Sequence, residues 1–90
     1  MTDRGELENL RKDLGPHGIK VTFFIGEDGY IDAVFIIGEG VRKGYWDSVL
    51  SAAEYMRRLL FERETTRMYG HLPQYYGKRF SNGRWREVAS

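Results

Sequence analysis

From Ile19 to Ile37 apolar residues occupy both phases of a two-residue alternation. Val21, Phe23 and Ile25 share one side of a strand, and Val34 and Ile36 join them from a second strand. Phe24, Ile31, Ala33, Phe35 and Ile37 fall on the opposite side. Asp28-Gly29 is a turn signal. Whether the connection is that dipeptide alone or runs from Gly26 to Gly29, odd positions of the first strand stay with even positions of the second. The pattern predicts an antiparallel hairpin apolar on both faces. Neither face of such a ribbon is stable bare in water, so each needs a cover: a helix, more sheet, or a second copy of the chain.

The segments around it change to a helical period. Asp3 to Leu14 places Leu7, Leu10 and Leu14 on one narrow stripe, and Gly15-Pro16 ends that helix. Gly38 to Gly44, with Glu39, Gly40, Val41, Arg42 and Lys43 between, reads as a glycine-rich connection into the longest helix. That helix is predicted from about Trp46 to near Met68, with Trp46, Val49, Leu50, Ala53, Met56, Leu60 and Phe61 on one face. Asp47, Ser51, Glu54, Arg58 and Glu62 form its wet side, where Glu54, Arg58 and Glu62 have the spacing of charge pairs. Tyr55 projects near the centre of that polar side. Arg57 points along the apolar stripe while Arg63 and Arg67 flank it, so the last two turns display a basic surface. Gly70 and Pro73 stop the helix.

In the remaining residues Asn82-Gly83 is a strong two-residue hairpin signal, because both positions of such a turn need positive φ. Pairing about it sets Phe80 opposite Trp85 and Arg79 opposite Arg86. The expected fold is α+β: a short N-terminal helix, a hairpin apolar on both faces, one long amphipathic helix and a short C-terminal hairpin, in a single small domain over residues 1–90.

Composition narrows the chemistry. A chain of 90 residues that is 41% hydrophobic and 14% aromatic can fold around one modest core. With no cysteine, disulfides and thiolate metal sites are excluded. His17 and His71 lack a helical ligand spacing, so neither a metal nor a cofactor is expected. A polar N-terminus and the absence of an apolar run of about 20 residues predict a cytoplasmic protein with no membrane contact.

Charge is unevenly placed. Residues 1–54 carry six basic and ten acidic side chains, a net of −4, whereas residues 55–90 carry eight basic and three acidic, a net of +5. Such asymmetry suits a basic face for an anionic partner, pairing between the two halves, or self-association through opposite signs.

The basic half is also aromatic. Arg63, Arg67, Lys78, Arg79, Arg84 and Arg86 are interspersed with Tyr69, Tyr75, Tyr76, Phe80 and Trp85. Nucleic-acid binding needs cations for phosphates and flat groups for bases. An ordinary outer strand pair would instead bury Phe80 and Trp85 and leave the arginines solvated, and an acidic protein could use the same residue types. The Gly38–Gly44 segment lacks G-x-x-x-x-G-K-[ST] and G-x-G-x-x-G, so a tight strand-to-helix turn fits it better than a phosphate cradle.

Catalytic constellations are weak. His71 with Tyr75, Tyr76, Lys78 and Arg79 could supply an acid, a base and phosphate stabilisers for RNA cleavage, but in no defensible spacing. Asp32 inside an apolar strand needs a partner or a place at the rim. With Glu39 and Lys43 it lacks the carboxylate-x-lysine element of metal nucleases.

The reading is a non-enzymatic regulatory protein that contacts nucleic acid through Arg63, Arg67, Tyr75, Tyr76, Lys78, Arg79, Arg84, Trp85 and Arg86. The alternative is a protein-binding inhibitor or antitoxin-like module. A homodimer could form through Phe24, Ile31, Phe35 and Ile37. Small size suits a phage or mobile-element protein. Glu27-Asp28-Gly29-Tyr30-Ile31 in a hairpin, then a glycine turn and an alanine-containing helix, resembles HicB-type antitoxins over about 30 residues. The Pro-Gly-Cys stretch of that family has no counterpart here, and no site residue carries over.

Overall fold

The computed structural model describes residues 4–38 and 40–88. Asp3, Glu39 and the side chain of Arg42 lie outside the described residues. The fold is α+β: helix α1 (Arg4–Leu14), strands β1 (Ile19–Ile25), β2 (Ile31–Gly38) and β3 (Val41–Trp46), helix α2 (Val49–Tyr69), and strands β4 (Lys78–Ser81) and β5 (Arg84–Glu87). It resolves into two compact units, residues 1–57 and 58–90, with the boundary inside α2.

The first unit is built on an antiparallel sheet of order β1-β2-β3. Ile19, Val21 and Phe23 oppose Gly38, Ile36 and Val34, so odd positions of β1 meet even positions of β2 as the alternation requires. The loop is the longer of the two alternatives. Gly26 N–H donates to the Tyr30 carbonyl (2.8 Å), Gly29 N–H donates to Gly26 (3.0 Å), and Gly29 has φ +82°. Simple alternation fails at the loop end: Phe24 opposes Ala33 but Ile25 opposes Ile31, leaving Asp32 as the extra residue of a β-bulge. Ile31 therefore pairs with Ile25 instead of sharing a side with Phe24 and Phe35, and Asp32 is exposed.

The glycine-rich connection is a strand. β3 pairs with β2, placing Tyr45 opposite Phe35 and Trp46 opposite Val34, with a positive φ of 71° at Gly40 where the chain reverses. Trp46 consequently ends a strand and does not begin the helix. Ser48 caps α2: its Oγ accepts the Ser51 N–H (3.3 Å) and its carbonyl accepts the Ala52 N–H (3.0 Å).

Both covers lie on one side of this sheet. Ile19, Val21, Val34 and Ile36 share a face and are buried, together with Leu7, Leu10 and Leu14 of α1 and Ala52, Ala53 and Met56 of α2. Arg11 of α1 sits over the Phe23 ring at 4.7 Å, and Tyr55 of α2 stacks on Trp46 at 5.1 Å. Phe23 and Trp46 both oppose Val34, which fixes the two helices to that same face. Glu6 accepts a hydrogen bond from Arg57 and joins the helices at their rim. Tyr55 and Arg57 thus serve contacts that a wheel begun at Trp46 does not anticipate. The opposite sheet face keeps its apolar side chains in water: Phe24 is 46%, Ile37 38% and Tyr45 66% exposed.

The second unit consists of the rest of α2, a short 3-10 turn at Pro73–Tyr75, and the β4–β5 hairpin. Its part of α2 buries Leu59 and Glu62, while Phe61 is exposed. Burial of Glu62 reverses its expected place on the wet side. The cause is an unpaired strand edge. Asn82 N–H donates to Glu62 Oε2 (2.6 Å), and one turn further along the helix Phe80 N–H donates to Thr66 Oγ1 (3.0 Å). One outward amide of β4, that of Phe80, and the amide of the adjoining turn residue Asn82 are thus met by side chains of one helical stripe.

Candidate nucleic-acid interface

The C-terminal hairpin has the register that Asn82-Gly83 demands. Lys78, Arg79, Phe80 and Ser81 oppose Glu87, Arg86, Trp85 and Arg84. Asn82 at φ 53° and Gly83 at φ 78° give the two left-handed residues of a primed turn. Directly opposite residues share a face, so Arg79, Ser81, Arg84 and Arg86 occupy one side, and Lys78, Phe80, Trp85 and Glu87 the other.

The ring-bearing side is packed. Tyr75 stacks on Trp85 at 4.0 Å and 13°, Phe80 meets Trp85 edge-on at 5.6 Å, and Phe61 of α2 meets Phe80 edge-on at 6.0 Å. These rings, with the Glu62 and Thr66 hydrogen bonds, hold the hairpin against its own helix. Val88 N–H closes the far end on the Gly77 carbonyl (3.0 Å).

The residues named from sequence therefore divide. Arg79, Arg84 and Arg86 come together on the open side; Arg84 and Arg86 are exposed, and Arg86 Nε donates to the Ser81 carbonyl (3.3 Å). Lys78 lies on the ring side opposite Glu87, which offsets its charge locally. Tyr75 and Trp85 are half-buried and engaged with each other. Tyr76 is 66% exposed. On α2, Arg63 is half-buried and Arg67 exposed, one turn apart. His71 is exposed ahead of the Pro73–Tyr75 turn.

Sequence reasoning missed Glu62 and Thr66, the side chains that position the hairpin. Their i, i+4 spacing places them on one stripe, but their amide partners lie 20 and 14 residues away, respectively. Among the described residues no group of three or more His, Asp or Glu side chains could hold a metal ion, and no helix is long and apolar enough to cross a membrane. The chain matches no protein-family model, no curated protein and no solved structure.

Proposed function

We propose that this chain is a non-enzymatic binding protein that holds a nucleic acid by its phosphates on the arginine side of the C-terminal hairpin. The observation that supports it is the sharing of one hairpin side by Arg79, Arg84 and Arg86, while the rings are packed on the other. Residues 58–90 carry seven basic against three acidic side chains, and one of those acids, Glu62, is buried on a backbone amide. The surface field of this unit is accordingly positive, which favours a polyanion over a neutral partner.

The engagement of Tyr75 with Trp85 shapes the mode of binding. Those rings are not both available to sandwich bases, so affinity comes chiefly from guanidinium–phosphate contacts and sequence preference is weak. Fluorescence anisotropy of labelled duplex DNA, single-stranded DNA and RNA at several salt concentrations tests the reading. Binding is expected to weaken steeply with salt. The Arg84→Ala/Arg86→Ala variant should have a log–log slope shallower by roughly 1–2, about 0.9 for each phosphate contact on a duplex and 0.7 on a single strand. No binding at low salt, or an unchanged slope in the variant, would reject it and leave an acidic protein surface as the partner.

A further inference from the structure

The sheet of the first unit carries both helices on one face, and its other face is apolar at the centre and charged at the two strand ends. Phe24 and Tyr45 form a tilted ring pair at 5.9 Å across that face, beside half-buried Phe35 and partly exposed Ile37. At one end stand Lys20, opposite Ile37, and Lys43, whose Nζ lies 5.8 Å from the centre of the Phe35 ring. At the other end is the β1–β2 loop with exposed Glu27 and Asp28, and the exposed bulge residue Asp32. Among the described side chains the charges are thus segregated along the strand direction, positive toward the β2–β3 turn and negative toward the β1–β2 loop.

We propose that this face receives a second copy of the chain, sheet on sheet, about a two-fold axis that lies between the sheets and runs across the strands. Rotation about such an axis reverses the strand direction. Each copy's Lys20 and Lys43 then stand over the partner copy's acidic loop, while Phe24, Phe35, Ile37 and Tyr45 meet their symmetry equivalents. A face with one sign at each end is complementary to itself under this operation, as an isologous contact must be. A uniformly charged partner would match only one end. The alternative two-fold, parallel to the strands, sets lysine on lysine and is disfavoured by repulsion.

Size sets the strength. Three strands at about 4.8 Å spacing and about seven residues of 3.3 Å rise give a footprint of roughly 14 by 23 Å. That is roughly 320 Å² of projected area per copy, below the ~800 Å² per partner of a standard interface, so the association is weak and transient. The proposal is independent of nucleic-acid binding, which uses residues of the second unit.

Sedimentation equilibrium of the full chain, from about 1 to about 500 μM at low and high salt, tests it. The expected mass rises from one chain to two, with a midpoint near roughly 10–100 μM that shifts upward with salt. Tyr45→Lys, at an exposed position, should hold the protein at the mass of one chain with an unchanged far-UV circular dichroism spectrum. Lys20→Glu/Lys43→Glu should weaken the dimer about tenfold. Mixing that variant with Glu27→Lys/Asp32→Lys should recover a mixed dimer. A single-chain mass throughout the range, or a dimer indifferent to Tyr45→Lys, would overturn the proposal.

Discussion

Replacing Glu62 by alanine tests whether a helix side chain stands in for a missing strand. Glu62 is only 9% exposed and its carboxylate accepts the Asn82 N–H at 2.6 Å. A hydrogen bond to a charged group contributes about 1.5–3 kcal/mol net. Asn82 is exposed, so water can take over part of the lost contact and the lower end of that range applies, about 1.5 kcal/mol. In a chain of this length each kcal/mol moves the midpoint of thermal unfolding by about 4–8 °C, so Glu62→Ala should lower Tm by roughly 6–12 °C. Thr66→Val keeps the side chain's shape but removes the oxygen that accepts the Phe80 N–H and donates to the Glu62 carbonyl (2.9 Å), at a cost of about 1 kcal/mol. The two sites share one hairpin edge, so the double variant should depart from additivity by about 0.5 kcal/mol or more. Urea unfolding followed by circular dichroism and tryptophan fluorescence measures all three. A Glu62→Ala protein within about 0.5 kcal/mol of the parent would show that this glutamate behaves as an ordinary surface residue and would refute the edge-capping argument.

Two further perturbations address the core and the turn. Leu14 is fully buried in the first unit, and Leu14→Ala should cost about 2–5 kcal/mol in urea unfolding, since it removes apolar area and leaves a cavity. Gly83 sits at φ 78°, so Gly83→Ala should cost about 1–2 kcal/mol without changing the Phe80–Trp85 pairing, which tryptophan fluorescence of the folded protein would report as unchanged.

Legibility in the sequence tracked how local each determinant is. The C-terminal register was readable because two adjacent residues, Asn82 and Gly83, admit one turn type and that turn fixes every pair beyond it. The β1–β2 alternation and the Leu7, Leu10, Leu14 stripe were readable for the same reason. β3 was not, because glycine is normally punctuation and Gly40 and Gly44 framed a segment with no clear alternation. Pairing with β2 makes it a strand, and that pairing is a tertiary fact. On α2 the expected Ala53 and Met56 are buried, but Ala52 and Leu59 join them in place of Leu50 and Phe61, which are exposed. As for the candidate site, the arginine side could be derived from the turn alone. The closure of Tyr75 onto Trp85 could not, because it depends on how the chain folds back after Pro73.

The bulge at Asp32 shows how one awkward residue organises its surroundings. A carboxylate in regular register between Ile31 and Ala33 would stand opposite Ile25, on the face that carries the helices though at its exposed loop end. Leaving Asp32 out of the ladder exposes it, and its carboxylate occupies the space beside Gly26: a Cβ on Gly26 would stand 2.2 Å from Asp32 Oδ2. A larger residue at 26 would need the Asp32 carboxylate, the free end of an exposed side chain, to move aside. The same shift brings Ile25 opposite Ile31, and the open apolar face consists of Phe24, Phe35, Ile37 and Tyr45, with negative charge at its loop end. With Glu27 and Asp28, the exposed Asp32 puts negative charge at the loop end of the proposed dimer face, which under that proposal favours one orientation of a second copy.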